Sequence, residues 1–100
     1  MGSLLAVDLG VKIGLALYGP DGRLAWYRAR NFGSVPRLRL AVPRILNEIP
    51  DLSDIVLEGG GTVADVWLRQ ADRRGLTLRP AARPISFGGL GTSQQPAGAF

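Results

Sequence analysis

The sequence predicts an α/β domain built on a mixed sheet, with its elements in the order βββαβαβ. Three observations predict it. Two apolar stretches, residues 4–9 (LLAVDL) and 13–18 (IGLALY), stand on either side of Gly10 and read as a hairpin. The turn Gly19-Pro20-Asp21-Gly22 then leads into an alternating stretch. Two amphipathic segments separate two further short apolar runs, which is how parallel strands are joined.

Each element has a local reason. Residues 4–9 are apolar except for Asp8, as expected of a buried strand. In residues 24–30 (LAWYRAR), alternation puts Leu24, Trp26 and Arg28 on one face, and Ala25, Tyr27 and Ala29 on the other. Ser34 can cap a helix whose first turn accepts Pro36. Leu38, Leu40, Val42, Ile45, Leu46 and Ile49 form its apolar stripe. Pro43 falls inside this segment and removes a backbone hydrogen bond, so a kink or two short helices is expected. Residues 51–54 read as a linker and 55–58 (IVLE) as a short buried strand ending on Glu58. Thr62 is placed to cap a second helix running to about Arg74, with Gly75 as its stop. Residues 76–79 (LTLR) read as the last strand.

The domain is expected to occupy residues 1–83. Residues 84–100 (PISFGGLGTSQQPAGAF) carry no charge and read as an irregular, flexible tail. A chain of 100 residues leaves room for one core. No apolar run reaches the roughly 18 residues that a membrane helix needs, and Asp8 interrupts the only stretch resembling a secretory signal. A cytoplasmic location and no membrane partner are the expectations.

The chain contains no cysteine and no histidine. Disulfides, thiolate zinc sites and Ser-His or Cys-His catalysis are therefore excluded, and carboxylates holding a hard cation are the main remaining catalytic chemistry. Asp8 closes the first strand and Glu58 the fourth. If those strands are adjacent and parallel, their carboxyl ends set the two acids side by side. Neighbouring carboxylates resist joint ionisation unless a cation lies between them, which points to Mg²⁺ or Mn²⁺. Asp8 and Glu58 are the candidate catalytic and metal-binding residues.

Other groups are less specific. Gly10 and Gly14 flank the first turn and suit either a plain hairpin or close approach by a phosphate. Asp65 and Asp72 share a helix face among arginines and read as solvated. The net charge is +4, and eleven of the twelve basic residues are arginine. This suits either a coding bias or a nucleic-acid surface. Lys12, Arg28 and Arg30 are the candidate nucleic-acid-binding residues, although edge-strand arginines serve solubility as well.

Ala6-Val7-Asp8-Leu9-Gly10, continuing through Lys12-Ile13-Gly14-Leu15-Ala16-Leu17, resembles the opening of the RuvC-like branch of the RNase H superfamily. Ile55-Val56-Leu57-Glu58-Gly59 resembles that family's fourth strand, whose Glu binds metal. The YqgF-like branch shares the opening but usually lacks this Glu. The resemblance covers about residues 4–80. It implies an RNase H-like mixed sheet and two-metal phosphodiester hydrolysis with Mg²⁺ or Mn²⁺. It also implies branched DNA as substrate, as in Holliday junction resolution during DNA recombination and repair, and a homodimer. The family's remaining acids lie in a carboxyl-terminal helix, whereas no acid follows Asp72 here. The expectation is therefore a RuvC-like nuclease scaffold, truncated or altered at its carboxyl end, and poor at catalysis. The alternative is a non-catalytic nucleic-acid-binding or interaction module on the same fold. A phosphate- or nucleotide-binding fragment of the kinase-like branch is a third reading, disfavoured by length.

Overall fold

A computed structural model describes residues 2–9 and 12–81. They form a mixed α/β fold of five strands and two helices: β1 (Ser3–Asp8), β2 (Lys12–Tyr18), β3 (Leu24–Asn31), α1 (Val35–Asn47), β4 (Leu52–Glu58), α2 (Thr62–Arg74) and β5 (Thr77–Pro80). The sheet order is β3-β2-β1-β4-β5. The β1–β2 and β2–β3 pairs are antiparallel, while β1–β4 and β4–β5 are parallel. Gly10 and the proposed tail 84–100 lie outside the described residues.

The two faces of the sheet differ. Leu5, Val7, Ile13, Leu15, Leu17, Ile55 and Leu57 point to one side, into a single cluster with the buried residues of α1 and α2. Leu38, Val42 and Trp67 are its fully enclosed helical members. The other face carries Ala6, Asp8, Gly14, Ala16, Val56 and Glu58, as strand alternation and the cross-strand register require. No described helix covers it.

Local reasons account for the helix ends. The Ser34 hydroxyl accepts from the Arg37 amide at 3.4 Å, capping α1. α1 is not divided into two helices at Pro43 but continues through it as one element. Proline deprives the Arg39 carbonyl of its amide partner, but Arg39 is exposed and water can serve it. Val42 and Leu46, on either side of the proline, stay packed in the core. The cap of α2 is Gly61 rather than Thr62. Gly61 sits at φ 80°, ψ −158°, a conformation that side chains resist, and this moves Thr62 into the first helical position.

β4 also begins earlier than its apolar run. Residues 52–54 pair with the start of β1, and the register shifts between Ser3 and Leu4. Ser3 is buried there, its amide donating to the Asp51 carbonyl at 2.8 Å and its hydroxyl to Asp51 Oδ2 at 2.7 Å. Among the described residues no helix is long and apolar enough to cross a membrane.

Candidate metal centre

β1 and β4 run parallel at the centre of the sheet, in a register that pairs Asp8 directly with Glu58. Their backbones are held about 4.8 Å apart by the strand spacing. Both acids project from the face opposite the helices, and both are partly buried. The Leu9 amide donates to the Glu58 carbonyl at 2.9 Å and so extends the pairing past the acids. Immediately afterwards the chain turns away through Gly59, at φ 118°. A Cβ there would be strained by that φ and would stand 3.0 Å from Cβ of Leu9, tighter than ordinary contact.

Hydrogen bonding with the neighbouring Asp8 carboxyl raises the Glu58 pKa above its usual value, with partial burial and the negative charge of Asp8 acting in the same direction. The pair thus holds a proton more tightly than an isolated glutamate does, or else calls for a cation in the proton's place. A hard divalent ion fits this donor set of two partly exposed carboxylates from rigid strands. The described residues contain no group of three or more acidic, histidine or cysteine side chains that could hold a metal. The two-carboxylate pair therefore suits one ion, and a second ion finds no separate ligand set among these residues.

The remaining candidates fall in different places. Lys12 is exposed and shares the Asp8 face, one alternation from Gly14, the cross-strand partner of Asp8. Arg28 and Arg30 pair with Leu15 and Ile13, so they project toward the helix side of the sheet. There Arg28 donates to Glu48 at 2.8 Å and stacks 4.0 Å from the Trp26 ring centroid. The structure therefore places Lys12 with the carboxylates, and the two arginines on the opposite face. Asp65 and Asp72 are exposed on α2. Sequence reasoning missed the role of Gly59, whose only signal was the Gly59-Gly60-Gly61 run. It also missed Arg37 and Arg44, which line a groove beside Arg28 and Arg30. Their seven-residue spacing on one helix was the available signal.

No family model matches this chain, and no curated protein matches it. Its fold is similar to that of a Bacteroides thetaiotaomicron protein with actin-like ATPase fold and unknown function. The TM-score is 0.64 at 7% sequence identity, and the match covers 86% of this chain and 35% of that one. This chain thus spans about a third of that protein's length. At such low identity the likeness establishes the fold alone, a mixed α/β architecture of the same broad class as the RNase H-like one.

Proposed function

We propose that the Asp8–Glu58 pair binds one Mg²⁺ or Mn²⁺ ion, and that the chain is an RNase H-like scaffold of the RuvC-like type acting on phosphodiesters of branched DNA. The observation that carries this reading is the in-register pairing of two acids at the carboxyl ends of adjacent parallel strands. When bound, the ion supplies Lewis-acid polarisation of a phosphoryl oxygen. The chain's own contribution is rigidity: both acids are fixed on central strands, Gly59 clears the chain away from them, and Lys12 offers a cation on the same face for the substrate backbone.

A second reading is a module on the same fold that binds nucleic acid without cleaving it. It is favoured by the absence of a third metal-binding side chain beside the pair among the described residues.

Incubation with a four-way DNA junction and with linear duplex, in Mg²⁺ or Mn²⁺, separates the two. Weak metal-dependent junction cleavage that disappears in Asp8→Asn is the expected result. Tight binding with no cleavage selects the second reading, and neither binding nor cleavage refutes both.

A further inference from the structure

A groove of about 410 Å³ lies on the helix side of the sheet, between β3 and α1. Its base is apolar, made by Leu15, Ala41 and Ile45, with Phe32 and Leu40 alongside. Leu40 is 70% exposed, more than any other large hydrophobic residue described. Arg28 and Arg30 stand on the strand side, with Arg37 and Arg44 on the helix side. Glu48 is the one acid lining the groove, and Arg28 already engages it. Among the described residues, Arg30, Arg37 and Arg44 have no carboxylate partner. β3 is also the end strand of the sheet, with no described strand hydrogen-bonded to its outer edge.

We infer that this groove docks an extended acidic segment of a protein partner, added as a sixth strand along the outer edge of β3. Strand addition satisfies the open backbone edge. Side chains of the added strand would alternate between the two faces, so every second one enters the groove. There the three unpaired guanidinium groups select Asp or Glu, while Leu40 and Phe32 accept an apolar residue. A phosphodiester backbone complements the arginines equally well, but it gains nothing from an exposed leucine over an apolar base. The mixed lining therefore favours a peptide. The groove opens on the face opposite Asp8 and Glu58, so the inference stands apart from the metal site.

The test is an amide NMR titration of the full chain with a capped peptide carrying Glu, Val and Glu at alternate positions and Thr between them. Shifts confined to β3 and to the Arg37–Arg44 side of α1 are expected. Arg37→Glu and Arg44→Glu, both at exposed positions, should each weaken binding about tenfold while leaving the far-ultraviolet circular dichroism spectrum unchanged. The same peptide N-methylated at alternate residues should fail to bind, because it cannot complete a strand ladder. Equal binding by the N-methylated peptide, indifference to the charge reversals, or stronger binding of oligothymidylate at the same amides would each overturn the inference.

Discussion

Asp8 and Glu58 are register partners on two parallel central strands, and the Asp8 carboxyl raises the Glu58 pKa. Such a pair links fold stability to pH with a definite sign. The folded-state pKa of Glu58 is raised, so the folded chain binds protons more tightly than the unfolded one. The pair's favourable contribution is present below the ordinary glutamate value, about 4.3, and is lost as pH rises through the raised folded value. Urea denaturation in EDTA should show this loss in the native chain, and Glu58→Gln should remove that part of the pH dependence. Identical pH profiles for the two proteins would show that the pair is not coupled.

A cation should reverse the effect. At neutral pH, millimolar Mg²⁺ or Mn²⁺ binding only the folded state raises Tm by mass action, by a few degrees for a domain of this size. At a pH low enough to protonate both acids the shift should vanish. Asp8→Asn and Glu58→Gln should each abolish it and reduce metal-dependent cleavage by at least about 100-fold. Thermal scans with and without metal check the first outcome, and single-turnover cleavage checks the second.

Gly59 follows the site directly and holds φ at 118°. Gly59→Ala must accept both a strained backbone and a Cβ 3.0 Å from Leu9, at a cost of about 1–3 kcal/mol. Because Glu58 is the adjacent residue, the same change should displace its carboxyl. The expected result is lower stability together with a weaker Mg²⁺-induced Tm shift. A loss of stability with undiminished metal response would separate the turn from the site.

The acids were legible in sequence because an ionisable residue in an apolar strand is costly unless ligated or paired; Asp8 and Glu58 stood out against LLAV and IVL. The faces of β3 were harder. Alternation separates Trp26 and Arg28 from Tyr27 and Ala29, but both sets mix aromatic with small or charged side chains. Only the register with β2 decides which set meets the helices. The start of β4 was hidden for a similar reason: Ser53 and Asp54 are polar, and the strand is set there by the pairing of Leu52 and Asp54 with β1 and of Asp54 with β5. Pro43 misled through its intrinsic propensity, which packing of Val42 and Leu46 overrides.

Trp67 is the largest fully enclosed side chain, and its indole N–H has no partner among the described residues. Trp67→Ala should cost about 3–5 kcal/mol. Trp67→Phe should cost markedly less, since it keeps an aromatic ring and removes the unpaired donor. Leu68, next in sequence but 45% exposed, should tolerate alanine within about 0.5 kcal/mol. Denaturant midpoints for the three variants check this ordering.

The basic residues divide between the two faces of the sheet. Lys12 lies on the Asp8 face, whereas Arg28 and Arg30 lie on the opposite one. If DNA approaches the carboxylates, Lys12→Ala should weaken binding and reduce the salt slope by about one phosphate contact. Arg28→Ala and Arg30→Ala should leave both affinity and cleavage unchanged. Breaking the Arg28–Glu48 pair also carries little stability cost, because the two groups are 34% and 54% exposed and such pairs contribute only about 0–1 kcal/mol. Junction binding measured across a salt series distinguishes the cases. Loss of DNA affinity in the arginine variants with none in Lys12→Ala would place the nucleic acid on the helix side, away from Asp8 and Glu58, and would break the link between binding and the metal site.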